Sequence, residues 1–265
     1  MGGIVQVALG TDRDNMAGRC HEKRIDFQKG FMQKHREIPA MFTRDASSGT
    51  FAVPEARVML TQRRAQRIST MIDPVHFKDL SAKTPEEIVR NTGAVYDAGM
   101  DRYQITVWQN TYAVSPALET VEAIEGSVPA RSDYMALFIV HYLLGSVSLP
   151  LSGTWVSEKD IPGGAAFFRG PHTLPTDRIA RAFGDDPDRF SKACADLNGQ
   201  PLDMADRAFV FHITPDIPVS VLFWQADEDF PAEAKLLFDR SISQRLALDI
   251  VYALAVMVCH TLAGP

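Results

Sequence analysis

Cysteine is scarce in this chain of 265 residues, and its scarcity excludes several kinds of site. The three cysteines, Cys20, Cys194 and Cys259, are far apart, and no pair has the CxxC spacing. Four-cysteine zinc sites and iron–sulfur clusters need more ligands at closer spacing. We therefore expect the chain alone to bind no metal. A sparse, odd number of cysteines also argues against a disulfide framework and favours a reducing compartment, the cytoplasm.

Long apolar runs are also missing. The longest uncharged stretch, residues 134–157, is interrupted by Gly145, Pro150 and Gly153. A membrane-spanning helix needs about 18 or more consecutive apolar residues, so we expect no membrane span. The first residues lack the basic start of a signal peptide, which agrees with the predicted cytoplasmic location.

Basic residues are few in most of the chain and concentrated at its start. Residues 1–70 contain 12 Lys and Arg against 7 Asp and Glu, whereas residues 71–265 contain 15 against 26. The acidic part argues against nucleic-acid binding, which requires a basic surface. The basic part shows no regular period, so we expect a poorly ordered extension over residues 1–70 and a single domain over residues 71–265. Three interpretations of residues 1–70 remain open. They are a solvated tail, a segment that contacts an acidic partner, or a stretch upstream of a true translation start at Met59 or Met71.

The clearest local signal is the start of a helix at residue 84. Thr84 is placed as N-cap, Pro85 as the first helical residue and Glu87 as the third, which is the pattern of a capping box. The apolar residues that follow, as far as Tyr96, fit one helical face. The sequence therefore predicts a helix that ends at Gly99.

Alternating and apolar segments predict the rest of the fold. Residues 102–109 alternate between apolar and polar as a half-buried strand does, with a turn expected at Asn110 and Thr111. Further strands are expected at 112–115, 118–124, 208–213, 219–224 and 235–238, and helices at 133–145, 175–184, 187–197 and 249–262. An antiparallel meander and a C-terminal hairpin packed by helices make the fold class α+β. Residues 151–175, which contain four glycines and three prolines, form a long irregular loop.

Several short motifs together resemble a known protein family. They are S-G-x-W at 152–155, P-G-G-x-x-F-F-R-G-P-H at 162–172, W-x-x-D-E-x-F-P at 224–231 and L-F-D at 237–239. In this arrangement the chain resembles DUF3786, a bacterial and archaeal domain of unknown function. The resemblance implies no catalytic role for any residue, because the family has no established activity. It does imply an anaerobic context and a possible iron–sulfur protein as partner, since some members resemble two-part proteins that carry such a domain.

The acidic run that follows the apolar strand is a candidate site. Asp227, Glu228 and Asp229 lie between Trp224 and Phe230. Side chains alternate along an extended chain, so at most two of the three acids converge, and we expect Asp227 or Glu228 to face the 151–175 loop. The alternative is a polar turn that ends the strand.

The irregular loop supplies the other candidates. Arg169 can hold a carboxylate or phosphate by two parallel N–H bonds, although a salt bridge to an acidic residue is the alternative. His172 lies close by and is suited to proton transfer or ligand binding. The glycines at 163 and 164 lack the pattern of a phosphate-binding loop and are interpreted as a tight turn. The candidate ligand-binding residues are Trp155, Glu158, Arg169, His172, Trp224, Asp227 and Glu228.

Three functions fit these candidates. The first is the binding of a small anionic or cofactor-like ligand in a pocket under the 151–175 loop. The second is an enzyme of unknown reaction in which Glu158 or His172 transfers a proton and Arg169 holds an anion. The third is an interaction module for a redox partner that contains an iron–sulfur cluster. The sequence identifies no cofactor.

Overall fold

The computed structural model describes residues 72–125, 133–145 and 147–264, all of which belong to one compact unit, Met59–Pro265. The extension predicted over residues 1–70 lies outside the described residues. The helices, numbered α1 to α7, are Pro74–Ala82, Pro85–Thr92, Asp133–Gly145, Gly164–Phe167, Asp177–Phe183, Pro187–Asp196 and Leu248–Ala263. The strands, numbered β1 to β9, are Val95–Asp97, Arg102–Val107, Asn110–Ser115, Thr120–Glu125, Trp155–Val156, Gln200–Pro201, Arg207–Thr214, Ile217–Trp224 and Glu233–Asp239.

Strands β1 to β4 form an antiparallel meander in sequential order. The alternation predicted for β2 is confirmed, because Tyr103, Ile105 and Val107 are all buried. Tyr112 and Val114 of the neighbouring strand β3 are buried as well. Since successive side chains point to opposite faces of a sheet, one face of the meander contributes to the core.

The turn between β2 and β3 lies at Trp108 and Gln109, so the prediction of a turn at Asn110 and Thr111 is wrong. Asparagine favours turns when it is considered alone. Here Asn110 is buried, begins β3 and donates its side-chain amide to the Tyr112 hydroxyl at 3.2 Å. Burial and this contact with the residue two positions along accommodate Asn110 in the strand, despite its preference for turns.

Trp108 links the meander to the second half of the domain. Its backbone has a φ of 57°, which bulky residues rarely adopt. Its N–H donates to the carbonyl of Ile213 at 2.6 Å, and its indole N–H donates to the carbonyl of Leu197 at 3.0 Å. The indole also contacts the ring of Phe211, with 5.2 Å between centroids.

The second sheet has five strands in the order β5-β9-β8-β7-β6, and all its pairings are antiparallel. The predicted hairpin is confirmed as β7 and β8, and the predicted strand at 235–238 is confirmed as β9. Nearly every residue of β7 and β8 is buried, as expected from apolar side chains that point to both faces.

Helix α2 is shorter than predicted, because it ends at Thr92 with Gly93 in the left-handed conformation at φ 70°. The chain then enters β1, so the prediction that the helix continues to Gly99 is wrong. The predicted capping box is wrong as well, since the side chain of Thr84 makes no capping hydrogen bond. Glu87 instead pairs with Lys83 at 3.0 Å.

The α+β class is confirmed, with the meander and the hairpin in two separate sheets. The two most apolar helices, α3 and α7, are largely buried and pack against each other in the common core. Across the part of the chain that the structure describes, no helix combines the length and the apolar character needed to cross a membrane.

Candidate functional site

The buried carboxylate of Asp239, at the end of β9, holds the start of the irregular loop. Its oxygens accept N–H bonds from Ser152 at 2.9 Å, from Gly153 at 2.6 Å and from Ser241 at 2.9 Å. Burial alone raises the pKa of this carboxyl, but the hydrogen bonds from these three residues outweigh burial and lower the pKa below its usual value. The group is therefore a charged anchor at neutral pH.

A second buried charge holds the residues just before the loop. The guanidinium of Arg245 is fully buried and pairs with the carboxylate of Asp216 at 2.5 Å. It also donates to the backbone carbonyls of Val147, at 2.9 Å, and Leu149. Asp216 in turn accepts a hydrogen bond from the hydroxyl of Tyr142 at 2.5 Å. A buried charge needs such partners because it has lost its hydration.

The paired glycines of the loop serve close packing. Gly163 has a φ of 80°, as expected for a tight turn. A Cβ atom on Gly164 would lie 2.0 Å from the carbonyl oxygen of Glu158, so only glycine fits there. Helix α4 can thus pack against the 3-10 turn Glu158–Asp160. This turn is closed by a capping box between Ser157 and Asp160.

The loop places two rings against helix α7. The imidazole of His172 stacks on Phe167, with centroids 4.4 Å and planes 16° apart, and meets the ring of Tyr252 edge-on at 5.5 Å. The hydroxyl of Tyr252 donates to the carbonyl of Pro171 at 3.2 Å. Burial, together with the neighbouring Tyr134, raises the pKa of Tyr252, so its hydroxyl remains a donor.

Two further rings continue this arrangement. Tyr134, in the first turn of α3, lies 6.5 Å from Tyr252 and 6.4 Å from His260, measured between ring centroids. Tyr252 and His260 are eight residues apart on α7, about 12 Å along its axis. We call Phe167, His172, Tyr252, Tyr134 and His260 the aromatic row. His172 is exposed and the other four are half-buried.

An arginine lies near each end of the row. Arg169 is exposed and forms no ion pair with any residue that the structure describes, and its backbone carbonyl accepts the N–H of His172 at 3.1 Å. At the other end, burial and the charge of Arg178 lower the pKa of His260. The imidazole of His260 is therefore neutral at neutral pH, and the fixed positive charges belong to the arginines.

The structure separates the seven predicted ligand-binding residues into two groups. Strand β9 pairs with Trp155 at Asp239, and with Trp224 at Glu233. These two positions are six residues apart, which corresponds to about 20 Å along a strand. Trp224 therefore lies far from the Trp155 end of the sheet. The loop group is Trp155, Glu158, Arg169 and His172, and the distant group is Trp224, Asp227 and Glu228.

The acidic run forms a polar turn, which was the alternative interpretation. The carboxylate of Asp227 accepts N–H bonds from Asp229 at 2.9 Å and from Phe230 at 2.7 Å. Glu228 is exposed. The prediction that Asp227 or Glu228 anchors the loop is therefore wrong, because Asp239 has that role.

Sequence reasoning missed most of the aromatic row. The apolar pattern of residues 249–262 predicts a helix but does not indicate which of its side chains contact the loop. The available signal is the spacing of Tyr252 and His260, because residues eight apart lie close to one helical face and both carry polar groups in a mostly apolar helix. Asp239 lay within the quoted L-F-D motif, but nothing in its local sequence indicated a contact with residue 152.

Metal binding and thiol chemistry find no support in the described part of the chain. Within residues 72–125, 133–145 and 147–264, no group of three or more His, Cys, Asp or Glu side chains is arranged to hold a metal ion. Cys194 and Cys259 are buried, and burial raises the pKa of both thiols. A protonated, buried thiol is a poor nucleophile and a poor ligand.

Comparison with known proteins gives one match. The model of the family described as Domain of unknown function (DUF3786) matches residues 84–261. Neither the curated proteins nor the solved structures contain a match. The matched region runs from the N-cap of α2 to within the last turn of α7, and it includes the loop, Asp239 and the whole aromatic row. Because this match spans more than half of the chain and agrees with the resemblance of the motifs, the protein belongs to the DUF3786 family.

Proposed function

We propose that the domain binds a planar, anionic, cofactor-like small molecule along the aromatic row. The observation that carries the proposal is the row itself, five rings in continuous contact beside the exposed Arg169. Aromatic side chains stack on conjugated rings. The planar guanidinium of arginine matches a carboxylate or a phosphate with two parallel N–H bonds.

The fixed position of the loop supports the proposal. The Asp239 carboxylate holds its first turn, and the hydroxyl of Tyr252 holds the carbonyl of Pro171, next to His172. Arg169 and His172 are therefore presented on a backbone that is already ordered. A preorganised site loses less conformational entropy when the ligand binds.

Binding can be measured directly on the purified chain. Native mass spectrometry of the complete protein shows whether a small molecule is retained and what its mass is. In parallel, flavin mononucleotide, folate and protoporphyrin IX serve as planar anionic probes in fluorescence and absorbance titrations. We expect saturable binding of a retained compound or of at least one probe, measured as a change in the absorbance or fluorescence of that compound.

Substitutions test whether the ligand binds at the aromatic row. His172→Ala and Arg169→Gln should each weaken binding by about tenfold or more, because each removes a stacking surface or a charge-assisted contact. Arg181→Gln is the matched control, since this arginine is exposed on α5 and pairs with Asp177. Equal affinities for the three variants, or no binding of any retained compound or probe, would reject the proposal.

The two other functions raised by the sequence are distinguishable in the same experiment. Turnover of the bound compound that His172→Ala abolishes, with folding intact, would assign an enzyme in place of a binding domain. Co-purification of an iron–sulfur protein without any small ligand would favour the interaction module. Neither result is needed to explain the geometry of the row.

A further inference from the structure

A separate surface displays an aromatic side chain to solvent. Phe230 is 70 % exposed and is the only aromatic residue among the strongly exposed large hydrophobic residues of the described chain. It follows β8 within the W-x-x-D-E-x-F-P motif. Leaving a phenylalanine exposed forgoes the favourable free energy of burying its ring.

Phe230 is held in this exposed position by an ordered turn. The carboxylate of Asp227 accepts the N–H groups of Asp229 and Phe230, and the N–H of Asp227 donates to the carbonyl of Phe230 at 2.9 Å. The backbone of the phenylalanine is therefore fixed. An aromatic residue presented on a fixed backbone is typical of the anchor residues of protein interfaces.

Two contacts bring other acidic stretches next to this turn. The N–H of Ala226 donates to the carbonyl of Gly184 at 3.3 Å, and the N–H of Gln225 donates to the carboxylate of Asp206 at 3.0 Å. We call the six exposed acids of these stretches the acidic surface. They are Asp185, Asp186, Asp206, Asp227, Glu228 and Asp229.

The negative charge of the acidic surface is not balanced within the described chain. None of its six carboxylates forms an ion pair with a described residue. Two nearby cations are paired with other acids, because Lys235 pairs with Glu233 at 3.0 Å and Arg207 with Asp188 at 3.5 Å. The guanidinium of a third, Arg189, lies over the ring of Phe183 and donates to the carbonyl of Ala182. The same acids do not converge on a metal ion, since no suitable group of ligands occurs among the described residues.

We infer that this surface docks a second protein, one that presents basic side chains around an apolar cleft. The cleft accepts the ring of Phe230, and the basic rim neutralises the acidic surface. The apolar anchor provides affinity, whereas the charges accelerate association and select against acidic partners. The inference is independent of ligand binding at the aromatic row.

Site-specific crosslinking in the native context identifies the partner. The complete chain carries p-benzoylphenylalanine in place of Phe230, or in place of Leu118 as control, because Leu118 is 71 % exposed and belongs to the meander. We expect one protein crosslinked at position 230 and not at 118, with a basic surface. Equal crosslinking at both positions, crosslinking to a second copy of this chain, or no crosslink at position 230 would overturn the inference.

Binding of the purified partner then separates the apolar and charged contributions. Phe230→Ser should weaken binding by about tenfold or more, and Glu228→Gln combined with Asp229→Asn by about three- to tenfold at low salt. The loss of affinity caused by the double variant of Glu228 and Asp229 should become smaller as salt rises from about 50 to about 300 mM, because salt screens exposed charges. Leu118→Ser should bind like the unmodified chain. Full affinity of the Phe230→Ser variant would overturn the inference.

Discussion

Asp239 and Arg245 both hold the backbone of residues 147–153, one by accepting hydrogen bonds and the other by donating them. The carboxylate accepts two N–H groups of this segment, and the guanidinium donates to two of its carbonyls. The segment has no strand partner of its own before β5, so these side chains satisfy backbone groups that would otherwise need water. At the scale of single residues, the loop therefore depends on two charges that lie outside it.

Asp239→Asn should destabilise the domain by about 1–3 kcal/mol, because the amide replaces one accepting oxygen with a donor that faces backbone N–H groups. Asp229→Asn is the control, since Asp229 is exposed and its carboxylate makes no ion pair with a described residue, and its effect should stay within about 0.5 kcal/mol. Urea unfolding followed by circular dichroism measures both. Equal stabilities would show that the carboxylate does not hold the loop.

The contribution of Asp239 should also depend on pH. Its pKa is lower in the folded chain than in the unfolded chain, so its stabilisation is complete above the unfolded value of about 4 and is lost as the pH falls through the folded value. The stability difference between the unmodified chain and Asp239→Asn should be constant from pH 6 to pH 8 and shrink below about pH 4. A difference that grows on acidification would contradict this assignment.

Arg245→Met should cost about 3–5 kcal/mol, because it leaves Asp216 and two backbone carbonyls without their charged partner. Adding Asp216→Asn to this variant should recover part of the lost stability, since a neutral amide then replaces the unpaired carboxylate. Thermal unfolding measures the stability of the two single variants and of the double variant, which together form a double-mutant cycle. Strictly additive losses would mean that the two charges do not act as a pair.

Among the elements, helix α4 depends on a single close approach. A side chain at residue 164 would collide with the carbonyl of Glu158, whereas residue 170 has open space around it but a φ of 56°. Gly164→Ala should therefore cost clearly more than Gly170→Ala, for which backbone strain predicts about 1 kcal/mol. Hydrogen exchange of residues 157–172 should also increase in the first variant. Equal costs would mean that α4 can move away from the turn.

The elements with strong periodicity could be predicted from the sequence. Strand β2, the hairpin of β7 and β8, and helices α3 and α7 show alternating or continuous apolar patterns, which depend on local composition. The error at the end of α2 lies in the choice between two local signals. Gly93 and Gly99 both offer a C-terminal cap, and the helix ends at Gly93, six residues before the predicted end.

The candidate site could be predicted only in part, because its residues meet through contacts between distant parts of the chain. Arg169 and His172 stand out because they lie in a long irregular loop. Their neighbour Tyr252 is 80 residues further along the chain than His172, and no local pattern indicates that their rings meet. The pairing of Trp155 with Asp239 is equally distant in sequence. The sequence does not show the register of the strands, so the acidic run after β8 fits the role of loop anchor as well as Asp239 does.

For the whole molecule, the two sheets and the helices share one core. The core extends from Ile72 to Leu262, and Trp108 joins the meander to the second sheet at Ile213 and to the end of α6 at Leu197. Domains with a continuous core usually unfold in a single transition. The sheets should therefore lose their structure together.

A chain that begins at Met71 should fold and unfold cooperatively, because it retains every described residue of the core. Chemical unfolding followed by tryptophan fluorescence and by far-ultraviolet circular dichroism should give coincident transitions. Limited proteolysis of the full chain, with cleavage sites mapped by mass spectrometry, provides the comparison. A truncated chain without a cooperative transition, or strong protection of residues 20–60 in the full chain, would show that the preceding residues are part of the fold.

The position of Asp239 in the chain has a consequence for the order of events during protein synthesis. The loop at 151–175 leaves the ribosome well before its anchor, since Asp239 and Tyr252 are 64 and 77 residues beyond the end of the loop. At about 5–20 residues per second, this interval lasts roughly 3–15 seconds. During this interval the ring of His172 can stack on Phe167 but lacks its contact with Tyr252. The late C-terminal helix, rather than the loop itself, thus determines when the aromatic row comes into existence.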